Sequence, residues 1–126
     1  MSMKMKKLPD SELEIMLIIW KANDAISTGE VINQLPQDDT RKLQTVQNLL
    51  SRLCEKEFIE CKKMGKLNYY KPIIDEVAYR KQETKSLLGR FYGNSPKGLF
   101  ATLVNEKSIS KEDIEEIRKM IEQGGE

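Results

Sequence analysis

The stretch from Leu43 to Glu57, LQTVQNLLSRLCEKE, constrains the fold more than any other. Val46, Leu49, Leu50, Leu53 and Cys54 recur at the i, i+3, i+4, i+7, i+8 spacing of one helix face. The opposite face carries Gln44, Thr45, Gln47, Asn48, Ser51 and Arg52. Most of these are uncharged groups that both donate and accept hydrogen bonds, where a merely solvated face would carry more Glu and Lys. Gln and Asn can pair with adenine edges, Arg with guanine or phosphate, and a Thr methyl can touch thymine. The stretch therefore reads as a helix that addresses DNA bases. Taken alone, it could equally be a plain amphipathic helix, and its neighbours decide between the two.

After Glu57 the apolar period changes. FIECKKM (Phe58–Met64) and LNYYKP (Leu67–Pro72) predict two strands, with Gly65-Lys66 as the tight connection and Gly65 free to take a positive φ. A hairpin placed directly after a base-reading helix is the wing of a winged helix. Lys62, Lys63 and Lys66 fall at its tip, in position to meet phosphates. Tyr69 and Tyr70 are expected to pack the hairpin onto the core rather than to stack on a base.

Upstream, residues 1–8 form a basic lead-in expected to fray. Ser11 with Glu14 fits a capping box that opens a helix to about Ala22, with Leu13, Met16, Leu17 and Trp20 as its stripe and Ile15, Ile18 and Ile19 widening it. Ala25-Ile26 allows a very short strand. Ser27 with Glu30 repeats the box and starts a second helix to about Leu35. Pro36, Asp38 and Asp39 make a turn. Helix, turn, base-reading helix is the helix-turn-helix order.

From Asp75 onward the pattern is helical throughout. Val77, Thr84, Leu87, Leu88 and Phe91 recur along one helix, which Asn94-Ser95-Pro96 ends. A short helix carries Leu99, Phe100, Leu103 and Val104. In the last, Ser110 and Asp113 form a capping box, Ile109 and Ile114 take the staple positions, and Ile114, Ile117 and Ile121 form the stripe, with Met120 beside it. Gly124-Gly125 stops it. About fifty residues of this kind bury too little surface to stand alone. Pairing with a second copy is preferred over folding back, since a two-fold dimer doubles the base contacts on a palindrome. The expected fold is mainly α with a small β-hairpin wing. A winged helix-turn-helix domain spans 1–74, and an all-helical dimerisation region spans 75–126. Val77, Leu87, Leu88, Phe91, Leu99, Phe100, Leu103, Ile114, Ile117 and Ile121 are the expected dimerisation residues.

Charge follows the same division. The net charge of the 126 residues is +1, yet residues 41–71 hold eight basic side chains (Arg41, Lys42, Arg52, Lys56, Lys62, Lys63, Lys66, Lys71) against three acidic ones. A local excess of +5 on and beside the base-reading helix is an electrostatic footprint for phosphates. Arg41, Lys42, Lys62, Lys63 and Lys66 are the expected phosphate contacts. No apolar run approaches the ~20 residues that cross a bilayer, and no secretory signal is visible, so a cytoplasmic location and no membrane partner are expected. The chain has no histidine, and its two cysteines, Cys54 and Cys61, form no CxxC. This excludes a Cys/His zinc site or a thiolate–imidazole pair within one chain. Both cysteines are expected buried and reduced. Glu115 and Glu116 read as a solvated acidic face. No cofactor, metal or enzymatic activity is expected.

Several strings together resemble the penicillinase and methicillin-resistance repressor family (the BlaI/MecI/CopY group) over essentially the whole chain. They are SELEIMLIIW, TVQNLLSRLCEKEFI, KLNYYKPI and LVNEKSISKEDIEEIRKMI, in that order. The resemblance implies a homodimeric winged-helix repressor on inverted-repeat operators, commonly containing TACA/TGTA. Thr45 and Arg52 match the family's recognition-helix Thr and its Arg near the helix end. Lys42 and Leu43 depart from its usual Ser or Thr followed by Pro, and Gln47 stands where a basic residue is common. Both departures bear on the operator sequence. In β-lactam-responsive members a sensor-linked protease relieves repression, commonly at an Asn–Phe bond; here Thr102–Leu103 aligns. The cysteine-rich end of the copper-responsive members has no counterpart in MIEQGGE. The alternative from another class is a winged-helix protein-interaction module without specific DNA binding.

Overall fold

Pro9 sets where the first helix begins. In the structure, a computed structural model that describes residues 5–36 and 43–124, Pro9 stands at the N-cap with φ −59° and α1 runs Asp10–Lys21. No side chain caps this helix. The expected Ser11–Glu14 capping box is therefore overturned: Ser11 already lies inside the first turn, where its backbone is helical and it cannot act as N-cap. The buried face is Glu12, Ile15, Met16 and Ile19, with Leu13, Ile18 and Trp20 half-buried beside it. Leu17, expected in the buried stripe, is 47% exposed. It stands two positions from both Ile15 and Ile19, roughly 200° around the helix from each. So broad an apolar surface allows several orientations, and packing selected the isoleucine side.

The lead-in is tethered. The Met5 N–H donates to Gln82 Oε1 at 3.0 Å, Gln82 Nε2 donates back to the Met5 carbonyl at 2.6 Å, and the Leu8 N–H donates to the Tyr79 hydroxyl at 2.9 Å. Leu8 is buried. These partners lie more than seventy positions away, which corrects the expected fraying for residues 5–8.

Three strands make one antiparallel sheet in the order β1-β3-β2: β1 Ile26–Ser27, β2 Ile59–Met64 and β3 Leu67–Pro72. The short strand expected at Ala25-Ile26 is shifted by one residue, because pairing with Tyr70 and Tyr69 selects Ile26 and Ser27. Ser27 also caps α2 (Thr28–Gln34) with the full reciprocal box to Glu30. The base-reading helix is α3, Leu43–Glu55. Asp38 and Asp39 of the expected turn lie outside the described residues. The core joins the inner faces of α1 and α3 to Val31, Phe58, Ile59, Tyr70 and Tyr79. Tyr70 is buried and Tyr69 half-buried. Cys54 is half-buried, while Cys61 is exposed because β2 leaves the core after Ile59; the expectation that both cysteines are buried is corrected accordingly.

The remaining helices are α4 Glu76–Tyr92, α5 Pro96–Asn105 and α6 Lys111–Glu122. Ser110 and Asp113 form the expected reciprocal box at the start of α6. By contact, Met1–Gln82 forms one compact unit and Glu83–Glu126 a second, the division falling within α4. Among the described residues no helix is long and apolar enough to cross a membrane.

Candidate nucleic-acid interface

The two faces of α3 separate cleanly. Val46, Leu49, Leu50 and Leu53 are buried, and Gln44, Thr45, Gln47, Asn48, Ser51 and Arg52 are all exposed. The first turn of α3 holds no acidic residue and the last holds Arg52, so no carboxylate within that turn neutralises the positive end of the helix dipole. Gln44 Nε2 donates to Asn48 Oδ1 at 3.1 Å, one turn on. Adenine recognition by Asn uses the amide as donor and acceptor together, so base pairing by Asn48 either replaces this bond or shares its oxygen with it.

Two devices hold α3 against the core. At its end, Glu57 takes φ 63°, its N–H donates to the Cys54 carbonyl, and the Phe58 N–H donates to the Leu53 carbonyl, both at 3.0 Å. This is a Schellman motif with a glutamate where glycine is usual. Phe58 and Leu53 are both buried in the same core, and the chain leaves the helix directly into β2. The direction of the wing is thereby tied to the direction of α3. The second device is an ion pair. Lys56 Nζ lies 2.5 Å from Glu12 Oε1, and Glu12 is only 3% exposed. A buried carboxylate is costly without such a partner. Sequence reasoning missed both: no glycine marks the Schellman turn, and Glu12 looks like an ordinary first-turn acid.

On the wing, Lys62, Lys63 and Lys66 are exposed. The register pairs Lys62 with Tyr69 and Lys63 with Asn68, and side chains alternate along a strand. Lys63 therefore shares the face of Cys61 and Tyr70, while Lys62 lies on the opposite face and Lys66 sits in the turn. Thr28 hydrogen-bonds the Tyr70 side chain, and burial first, then neighbouring groups including Cys61, raises the Tyr70 hydroxyl above its ordinary value of 10.0. Burial first, then Cys61 and Glu55, likewise pushes up the Cys54 thiol. Both groups stay protonated at neutral pH and pack rather than react. Arg41 and Lys42, expected phosphate contacts, lie outside the described residues.

None of the ten apolar side chains expected to pair two copies is buried. Leu88, Leu99, Leu103 and Ile117 are half-buried, and Val77, Leu87, Phe91, Phe100, Ile114 and Ile121 are exposed, Phe91 and Ile121 by 67% and 69%. Thr102 is exposed and Leu103 half-buried, both inside α5. Among the described residues, no group of three or more His, Cys, Asp or Glu side chains is arranged to hold a metal ion.

Comparison with known proteins gives a consistent result. The sequence pattern of the family described as penicillinase repressor matches residues 8–123. A penicillinase repressor of Bacillus licheniformis is 35% identical over 122 residues, covering 94% of each chain. The methicillin resistance regulatory protein MecI of Staphylococcus aureus (strain N315) is 26% identical over 121 residues, covering 96% of this chain and 98% of its own. Among solved structures, the DNA-binding domain of the repressor BlaI is similar with a TM-score of 0.52 at 40% identity, over 58% of this chain and 88% of that one. The monomeric form of Bacillus licheniformis BlaI in complex with the blaP half-operator matches with a TM-score of 0.50 at 39% identity, over 60% of this chain and 92% of that one.

Proposed function

Because the chain belongs to the penicillinase repressor family, we propose that it is a sequence-specific DNA-binding transcriptional repressor that acts as a homodimer on an inverted-repeat operator. The observation that carries this reading is the exposed, largely uncharged face of α3 opposite its buried leucines. That face offers paired donors and acceptors, which the major groove can discriminate and bulk water does not require. The relative bound to a half-operator supports the same use of the fold.

In this reading residues 1–74 bind DNA. α3 lies in the major groove, where three or four of Gln44, Thr45, Gln47, Asn48, Ser51 and Arg52 reach base edges. Lys62, Lys63, Lys66 and the Arg41–Lys42 pair hold phosphates and make affinity fall with salt. Residues 75–126 pair two copies through the apolar faces of α4, α5 and α6, setting the spacing of the two recognition helices. The uncovered side chains of that region favour this over a self-contained domain. Relief by a sensor-linked protease at Thr102–Leu103 would first require α5 to unwind, since proteases act on extended backbone. α5 has no buried residue to resist that.

Fluorescence anisotropy on a TACA/TGTA inverted-repeat duplex, at about 50 and about 200 mM salt with scrambled duplex as competitor, tests the proposal. Tight, salt-sensitive binding that scrambled DNA fails to displace is expected. Thr45→Ala or Asn48→Ala then costs about 1–3 kcal/mol on the repeat alone. Lys66→Ala weakens all duplexes alike and lowers the salt slope by about one. Equal displacement by scrambled duplex and by unlabelled repeat, persisting for any repeat selected from random DNA, would leave the protein-interaction module as the better reading.

A further inference from the structure

Among the described residues, the outward face of α3 carries one side-chain hydrogen bond, from Gln44 Nε2 to Asn48 Oδ1 at 3.1 Å. Both residues are exposed, and an exposed amide pair one turn apart adds little to helix stability. What it does is fix an orientation. A free asparagine amide turns over readily and so exchanges its donor and acceptor ends. Here the Gln44 donor can satisfy only an oxygen, which holds Oδ1 on the Gln44 side of the amide and Nδ2 away from it. An amide oxygen has two acceptor sites, of which Gln44 takes one. Nδ2 has no partner among the described residues. Asn48 therefore offers one open acceptor and one open donor, in a set order.

We infer that Asn48 reads one adenine in the major groove with its oxygen still bonded to Gln44, and that Gln44 is the positioning residue that enforces adenine over guanine. The inference rests on the repressor reading above and deepens it. Adenine presents an N6 amino donor beside the N7 acceptor, and an asparagine amide meets both at once. Oδ1 accepts from N6 through its open site, and Nδ2 donates to N7. Guanine keeps N7 but replaces the amino group with O6, a second acceptor. An unrestrained asparagine can swing until Nδ2, which has two protons, faces O6 and N7 together, so it tolerates guanine. With Gln44 holding it, Oδ1 is set against O6, two acceptors with no proton between them. The Gln44–Asn48 bond thus acts by excluding the wrong base as well as by presenting the right one.

The test uses the full chain and the inverted repeat that it selects from random duplex. Each A·T pair is replaced by G·C in both half-sites, with the purine kept on its strand, and binding is read by anisotropy. At one position the wild type is expected to prefer adenine by roughly 10- to 100-fold, and Asn48→Ala to show no preference. There, 7-deazaadenine, which lacks the N7 acceptor but still pairs with thymine, weakens the wild type and leaves Asn48→Ala unchanged. Gln44→Met, close in length but without a donor, brings the preference at that position below about threefold, chiefly by binding guanine better. In the Asn48→Ala background, Gln44→Met changes the ratio no further. A merely structural role for Gln44 weakens the adenine and guanine sites alike, and that result overturns the inference. So does a preference that Gln44→Met removes at a different base pair, which makes Gln44 a reader in its own right. The absence of any position whose preference depends on Asn48 overturns it too. All three leave the repressor reading intact. If the wild type selects no repeat, both readings fall.

Discussion

In Met1–Gln82 a helix starts on a reciprocal Ser27–Glu30 box, and another ends in a Schellman turn at Glu57. In Glu83–Glu126 a helix starts on a Ser110–Asp113 box, and another ends the same way, with Lys107 at φ 58°, its N–H on the Val104 carbonyl and the Ser108 N–H on the Leu103 carbonyl. The local devices are alike; what they deliver is not. The first unit places Phe58, Leu50, Ile15 and their neighbours out of reach of water, whereas no described residue of the second is buried. Backbone signals thus set where helices begin and end, but only the first unit has an interior of its own. The second has apolar stripes whose described side chains are half-buried or exposed.

The largest expected effect breaks the first unit. Phe58 is buried, and its ring meets Tyr79 edge-on with centroids 5.5 Å apart. Phe58→Ala should cost about 3–5 kcal/mol in chemical denaturation, by the same amount at any protein concentration. A loss below about 1 kcal/mol would mean that the first unit is not the stable core described.

In the second unit an apolar-to-charged change should act through association instead. Ile121→Glu and Phe91→Glu alter exposed side chains and should leave the circular dichroism of the dilute chain unchanged. In sedimentation equilibrium each should weaken dimerisation by about 2 kcal/mol or more, roughly 30-fold. Unchanged association in both variants would remove these faces from the dimer interface.

The same contrast explains how much could be read from the chain. Local signals were legible: the split faces of α3, the boxes at Ser27 and Ser110, and the hairpin around Gly65 each depend on residues a few positions apart. The features that escaped depend on distant partners. Leu8 is ordered by Tyr79, Gln82 closes on Met5, Ser27 joins a strand because Tyr69 lies opposite, and Glu12 is buried because Lys56 reaches it. The face of α1 that packs could not be chosen from a helix apolar on so many sides. For the interface, the outward residues of α3 followed from periodicity, but which side chains of β3 share a face with Lys62 and Lys63 followed only from strand register.

Lys56→Met probes one of those distant partnerships. It strands the buried Glu12 carboxylate and should cost about 1–3 kcal/mol, less than a fully dry pair because the Lys56 side chain keeps 23% exposure. Adding Glu12→Leu should recover most of the loss, since an apolar pair suits that site. If the single variant is as stable as wild type, the ion pair does not hold the end of α3. Recovery of stability without recovery of DNA affinity would show that the pair also orients the helix.

The smallest effect compares the two capping boxes directly. The backbone N–H of Ser27, then its side chain, holds the Glu30 carboxyl below its ordinary value of 4.5. Ser110 does the same for Asp113, below 3.8. A carboxyl whose folded value lies below its unfolded one stabilises the folded state above the unfolded value, and that contribution fades as pH falls through the folded value. Both boxes should therefore weaken only in acid, Glu30 beginning near pH 4.5 and Asp113 near pH 3.8. The consequences should differ. α2 is also held by buried Val31, so its amides should exchange only with unfolding of the whole first unit, even at pH 3. α6 has nothing buried, so in Ile121→Glu, diluted until it sediments as a monomer, acid or Ser110→Ala should release its amides locally; the serine change alone costs about 1 kcal/mol. Hydrogen exchange resolved by helix decides the matter. Equal protection of α2 and α6 in that monomeric variant would mean that the second unit supports itself, and the contrast between the two regions would be one of degree only.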